Sequence, residues 1–462
     1  ENWYMKKLLI VLAALLLALP MFGVAAQDGT IVDVAASNPD FSTLVAAVQA
    51  AGLVDTLNGE GPFTVFAPTN AAFEALPAGV VDYLLAHPDV LATVLTYHVV
   101  AGDAIMSDTV MGMDGVADVA TVQGGTISVD PAGLVNGASL IAVDVMASNG
   151  VIHVIDQVLI PEIVLAAADP LSATGDIITA GSSTVFPLSE RAAEEYRNAG
   201  YTGNITVESI GTGAGFERFC VAGETDIANA SRAIRDSEIE ACAALATPRT
   251  PIEFRVGTDA LAVVVAEAND FVTALSIDQL ARIFSGEYAT WDQVDASYPA
   301  EPIQLFSPGT DSGTFDYFVE AVMEEIVGDT GRDAIINAAN IQFSEDDNVL
   351  VQGVESSPYA IGYFGYAYYI DETDRLNAVG IDGVEPNGVT AEDGSYPLAR
   401  PLFIYSDAGI LAAKPQVADF VNFYLSSVND YVTDVGYFPA SQQAIRLAQL
   451  QLMIAQSMSM GM

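Results

Sequence analysis

Two domains of different class are expected from this sequence: a compact α+β module, then a larger α/β domain built as one body or as two lobes. Three observations carry that expectation. No Lys or Arg occurs between Lys7 and Arg191, whereas arginines recur from there onward. Up to residue 161, helix-period apolar patterns give way to short strands separated by Gly and Asn turns. From residue 176, strand-like and helix-like runs alternate, as in an α/β fold. Three of the junctions between them are glycine- and hydroxyl-rich loops.

The chain starts with an export-signal pattern over residues 1–26. Met5-Lys6-Lys7 is positive, Leu8–Leu19 is apolar, and Val24-Ala25-Ala26 supplies small residues before Gln27. The expected location is therefore outside the cytoplasm, periplasmic or at the cell surface. No cysteine follows the cleavage site, so a lipid anchor is not indicated. With 462 residues, 51% of them apolar, the chain can build more than one core, and a net charge of -45 argues against nucleic acid or an anionic membrane surface as partner. Cys220 and Cys242 are an isolated pair in an exported chain and are expected to form a disulfide. Neither has a histidine nearby, so no metal site is expected.

In the first domain, residues 28–161, a helix is expected at Phe41–Ala51, a strand at Phe63–Ala67, a helix around Ala71–Leu76 and a helical segment over Val80–Val99. Strands follow at Thr126–Val129, Ser139–Val145 and Val151–Ile160. The segments Thr64-Val65-Phe66-Ala67-Pro68-Thr69-Asn70-Ala71-Ala72-Phe73, Tyr97-His98 and Asn149-Gly150-Val151-Ile152-His153-Val154-Ile155-Asp156-Gln157-Val158-Leu159-Ile160-Pro161 resemble the hallmark stretches of a fasciclin domain, in the expected order. The resemblance implies an extracellular adhesion or matrix-associated module with an unknown surface partner. His98 and His153 are read as structural, because no third ligand or nucleophile is spaced to join them.

Residues 162–175 have a linker composition, with Asp169-Pro170 and Ser172-Ala173-Thr174-Gly175. The second domain, residues 176–451, holds the three loops: Gly181-Ser182-Ser183-Thr184-Val185-Phe186-Pro187, Gly211-Thr212-Gly213-Ala214-Gly215 and Gly309-Thr310-Asp311-Ser312-Gly313-Thr314. Each follows a strand-like run (Ile177–Ala180, Ile205–Ile210, Ile303–Phe306) and opens a helix-like one. Free backbone N–H groups at such junctions, with hydroxyl donors beside them, suit a small tetrahedral oxyanion. Buried strands are expected at Leu261–Ala266, Ala360–Tyr366 and Leu402–Tyr405. The Met-rich end, residues 452–462, reads as a flexible tail.

The three loops, together with Asp226-Ile227-Ala228-Asn229-Ala230-Ser231-Arg232, resemble the substrate-binding proteins of phosphate-specific ABC transporters, over residues 176 to about 450. The resemblance implies an α/β, two-lobed periplasmic-binding fold of type II, the Venus-flytrap arrangement. It implies inorganic phosphate as ligand, no cofactor, and a membrane ABC permease as partner. Carried onto this sequence, it places phosphate contacts at Ser183, Thr184, the Val185 N–H, Thr212, Ser231, Ser312, Gly313 and Thr314. Two departures stand out. Better-known members have an aspartate after the serine, where this chain has Arg232, and an arginine before the third loop, where this chain has Ser307-Pro308-Gly309 and then Asp311. An exchange of charges is the resulting expectation: Arg232 supplies the guanidinium and Asp311 accepts the ligand's proton.

The expected function is capture of phosphate for a permease, with the fasciclin module for attachment. The alternative is an adhesion or matrix protein whose second domain senses phosphate or binds another oxyanion. An enzyme is not expected, since neither Ser183 nor Ser312 has a histidine or lysine motif beside it.

Overall fold

The computed structural model describes residues 29–310, 312–370 and 372–459, so the expected export signal and Asp311 lie outside the described residues. The chain divides into two units, the first ending at Val164 and the second running from Leu165.

In the first unit, seven strands form one sheet: β1 (Phe63–Pro68), β2 (Val99–Ala101), β3 (Ala117–Ala120), β4 (Thr126–Asp130), β5 (Leu134–Val135), β6 (Ala138–Ala147) and β7 (Gly150–Ile155). Their order is β2-β1-β7-β6-β5-β4-β3. The hallmark segments around Thr64 and Asn149 meet as β1 and β7, which pair in parallel from Phe63↔Gly150 to Pro68↔Ile155. Glycine is required at 150, since a Cβ there would sit 2.1 Å from the Phe63 carbonyl oxygen. Asn149 fastens the entry to β7: its side chain donates to the Leu57 and Gly59 carbonyls and accepts from the Ile31 N–H.

The helical segment expected over Val80–Val99 is two helices, Val80–Ala86 and Pro88–Tyr97, with the last residue already in β2. Pro88 has no N–H to continue the first helix and disfavours helical backbone at His87, which instead adopts φ -124 and ψ 79. Both nitrogens of His98 are used by the backbone: Nδ1 donates to the Val94 carbonyl (2.8 Å) and Nε2 accepts from the Leu159 N–H (2.9 Å). His153 Nε2 donates to the Ile105 carbonyl (2.7 Å) and Nδ1 faces the Asp144 N–H. Burial holds both imidazoles below their ordinary pKa, His98 at about 4.

The second unit contains β8 (Ile177–Gly181), β9 (Ile205–Ser209), β10 (Ile227–Ala230), β11 (Pro251–Ala266), β12 (Ala274–Leu275), β13 (Gln304–Pro308), β14 (Ile341–Ser344), β15 (Ala360–Gly365), β16 (Leu376–Ala378), β17 (Gly380–Ile381) and β18 (Ala399–Asp407). The sheet order is β14-β13-β15-β11-β18-β10-β8-β9, with β16 also on β11 and a separate β12-β17 pair. Strand β11 passes from one lobe to the other. Its first part, Pro251–Ala260, pairs with β18, and Leu261–Val265 pairs with β15. One core gathers Ile177, Leu188, Tyr196, Ile404 and Tyr424. The other gathers Leu261, Trp291, Phe318 and Tyr363. Two lobes therefore share β11 and β18 as crossing strands.

Residues 165–175 form no strand or helix, yet they are tied to the second unit rather than free of it. The Ala166 carbonyl accepts from Asn422, the Asp169 N–H donates to Asp419, and Leu165 and Ala173 pack on the first lobe's core. Composition alone marks this stretch as linker because small and polar residues conceal its anchoring by the helix Pro415–Tyr431.

The flexible tail expected over 452–462 is corrected by a helix, Gln442–Ser459, in which Leu452 and Ala455 are fully buried in the first lobe's core. Helical spacing aims these residues inward, and of the expected tail residues 460–462 lie outside the described residues. Truncation after Gln451 is expected to lower the melting temperature of the second unit, since a lost buried leucine alone costs about 2–5 kcal/mol. A scanning calorimetry trace with unchanged transitions would contradict this packing.

Candidate functional site

The first three segments expected to hold the ligand are delivered by the parallel strands β8, β9 and β10, whose carboxyl ends lie side by side. After β8, residues 182–185 turn into the helix Phe186–Asn198; after β9, Gly211 leads into the helix Thr212–Glu217; Ser231 follows β10 directly. Close approach explains the glycines. A Cβ on Gly181 would fall 2.1 Å from the Asn229 carbonyl oxygen, and one on Gly215 would fall 2.5 Å from Gly181 Cα. The fourth segment comes from the other lobe, where Ser312 caps the helix Gly313–Phe318 by accepting from the Thr314 N–H.

These segments converge on a residue that sequence reasoning missed. Arg400, on β18 and only 8% exposed, donates from Nη2 to Thr184 Oγ1 (2.5 Å) and the Gly313 carbonyl (3.5 Å), and from Nη1 to Ser231 Oγ (3.4 Å). Its Nε donates to Asp259 Oδ2 (3.1 Å), and Asp259 is its directly opposite partner on β11. Tyr317 stacks on the guanidinium, with Cζ 3.7 Å from the ring centroid. Burial pushes the Asp259 carboxyl above its ordinary range, and Arg400 only partly offsets it. A charged pair thus stands on the two crossing strands, touched by loops from both lobes. The Tyr437 hydroxyl adds a support by donating to the Thr184 carbonyl (2.7 Å).

Such a centre offers a buried cation, surrounding hydroxyls and the first-turn N–H groups of short helices, a donor set matched to an oxyanion. Among the described residues, no group of three or more His, Cys, Asp or Glu is placed to hold a metal ion.

The description PBP superfamily domain matches residues 167–428, and the description Fasciclin domain matches residues 39–161. The second unit belongs to the PBP superfamily, and the first is a fasciclin domain. Protein SphX of Synechocystis sp. is 39% identical over 295 residues, covering 62% of this chain and 84% of the relative. The phosphate-binding protein PstS of Staphylococcus haemolyticus is 36% identical over 271 residues, covering 58% of this chain and 81% of the relative. A crystal structure described as a possible phosphate binding protein from Planctomyces limnophilus superposes with a TM-score of 0.56 at 38% identity, covering 62% of this chain and 100% of that one.

Within this PBP-superfamily domain the expected contact residues do not all stand alike. Thr184, Ser231 and Gly313 touch Arg400 directly, and Thr212 Oγ1 lies 3.2 Å from Ser231 Oγ. The Val185 N–H, fully buried, is directed to Ser182 Oγ at 3.3 Å. The Ser183 and Thr314 hydroxyls make no hydrogen bond to other described residues, and Ser312 serves as the cap already noted. Arg232 faces elsewhere: it forms a two-pronged pair with Glu238 (2.7 and 2.9 Å) and also donates to the Ala233 carbonyl. Glu238 is six residues on, in the helix Asp236–Ala243, and captures the guanidinium locally. A signal for Arg400 and Asp259 was present in the sequence: each is an ionised residue abutting a run of apolar strand residues, where an unpaired charge is prohibitive.

Cys220 and Cys242 are joined by a disulfide, which clasps the segment carrying Ser231. Replacing both by alanine is expected to destabilise the second unit by about 3 kcal/mol, from the freed loop's entropy in the unfolded chain. Equal urea midpoints for the two proteins would contradict that estimate of the clasp.

Proposed function

We propose that the chain is an exported receptor that captures inorganic phosphate between the lobes of its second unit for delivery to a membrane ABC permease. The fasciclin unit attaches it to a surface or matrix partner. The observation that carries this reading is Arg400: a buried guanidinium on a crossing strand, met by Thr184 and Ser231 of one lobe and Gly313 of the other. We assign the phosphate contacts to Ser183, Thr184, the Val185 N–H, Thr212, Ser231, Ser312, Gly313 and Thr314. The guanidinium role goes to Arg400 in place of Arg232, which Glu238 retains. Asp311 keeps the role of proton acceptor, which would favour phosphate over unprotonated sulfate. The relatives named as phosphate-binding proteins support the choice of ligand. The chemistry is binding, not turnover.

The deciding experiment is titration calorimetry of the exported chain with phosphate, arsenate and sulfate. Saturable phosphate binding, much weaker for sulfate, is expected. No saturable heat with phosphate would refute the reading.

A further inference from the structure

Among the described residues, Arg400 has a second ionic partner besides Asp259, and this one is exposed. Glu320 lies in the π-helical turn Val319–Glu324 that continues the helix behind the third ligand loop. Its Oε2 is 3.7 Å from Arg400 Nη1, and its side chain is 60% exposed. Nη1 is also the edge that reaches Ser231. The other edges of the guanidinium are engaged by Asp259 at Nε and by Thr184 and Gly313 at Nη2, while Tyr317 covers a face. Nη1 is therefore the edge with an exposed anionic neighbour. Arg232, in the other lobe, also feels the charge of Glu320, though its pKa is raised first by its hydrogen bond to Glu238.

We propose that Glu320 is a tethered competitor, a carboxylate that contends with the incoming oxyanion for the Nη1 edge of Arg400. This rests on the reading of the Arg400 centre as a phosphate site. Two anions cannot share one guanidinium edge without mutual repulsion, so phosphate must turn Glu320 aside. Being exposed, the side chain can swing into solvent or toward Arg232 at small cost. Glu320 is thus an affinity-setting residue that touches the site's cation and lowers the occupancy of any oxyanion there. Its contribution is screened by salt, because the Glu320 carboxylate is open to solvent.

The test is calorimetric titration of the full chain with inorganic phosphate, at low and at physiological ionic strength, for the wild type, Glu320→Gln and Glu324→Gln. Glu324 is an exposed carboxylate of the same turn, so its variant makes the same change in net charge. Glu320→Gln should bind phosphate about two- to fivefold tighter at low salt, the range of an ion pair whose carboxylate is exposed, with the gain shrinking as salt rises. Glu324→Gln should bind as the wild type does. Unchanged or weaker binding by Glu320→Gln would overturn the proposal, weaker binding marking Glu320 as a latch between lobes instead. An equal gain in Glu324→Gln would overturn it too, by tracing the effect to overall charge. Wild-type protein that fails to bind phosphate would refute the reading of the site and this inference with it.

Discussion

Arg400→Ala is expected to abolish useful binding of phosphate, arsenate and sulfate alike. Truncating one partner of a buried, charge-assisted contact costs about 2–5 kcal/mol, or roughly 30- to 5000-fold in Kd. The loss should be general rather than selective, because a guanidinium reads negative charge and oxygen geometry without regard to the ligand's proton. The substitution also strands Asp259, which is 2% exposed and has Arg400 as its ion-pair partner. A buried carboxyl left so will take up a proton or destabilise the crossing strands. The double variant Arg400→Gln with Asp259→Asn therefore accompanies the single one: it should recover melting temperature but not affinity. Arg232→Ala should retain affinity, because that side chain is held by Glu238. Calorimetry at one pH and salt concentration, alongside thermal denaturation, checks all three. A normal Kd in Arg400→Ala would remove the guanidinium from the site, and a large loss in Arg232→Ala would return the role to that residue.

The fasciclin unit should lose stability in mild acid, and His98 is the cause. Its imidazole is 2% exposed, with both nitrogens committed to backbone partners that require the neutral form. Burial lowers its pKa to about 4, against 6.5 for the free side chain. Between those values the unfolded chain binds a proton that the folded one does not, so stability falls as pH falls. The full contribution is present above pH 6.5 and is lost as pH drops through about 4. The gap corresponds to about 3 kcal/mol, comparable to a large share of a small domain's stability. His98→Gln, which can still donate and accept, should flatten the pH dependence of urea unfolding over this window while lowering stability at pH 7. An unchanged slope would assign the acid sensitivity elsewhere, with His153 the next group to test, since burial lowers its pKa as well.

Local sequence determined much of this protein. The strands Phe63–Pro68, Thr126–Asp130, Ile177–Gly181 and Ile205–Ser209 follow from apolar periodicity bounded by Gly and Asn turns, which is information held within a few residues. The hydroxyl-bearing loops were legible for the same reason: glycine spacing and Ser/Thr content declare a strand-to-helix junction wherever it lies in space. The cysteine pair was legible because only two cysteines exist in the chain. Tertiary structure decided what local patterns cannot encode. Pairing of β1 with β7 joins residues far apart in sequence. The anchoring of residues 165–175 depends on Asn422 and Asp419, some 250 residues distant. The helical end of the chain is held by a core that its own Met-rich composition does not announce. The placing of the cation proposed for the site is of the same kind. Arg232 and Arg400 each lie within a few residues of a ligand segment or an apolar strand, and nothing in spacing ranks them. Glu238, six residues from Arg232, takes one arginine into a local ion pair. Strand register sets Asp259 opposite Arg400, and that pairing places the other where loops from both lobes meet. Charge needs a partner when it is buried, and which partner it meets is a property of the fold.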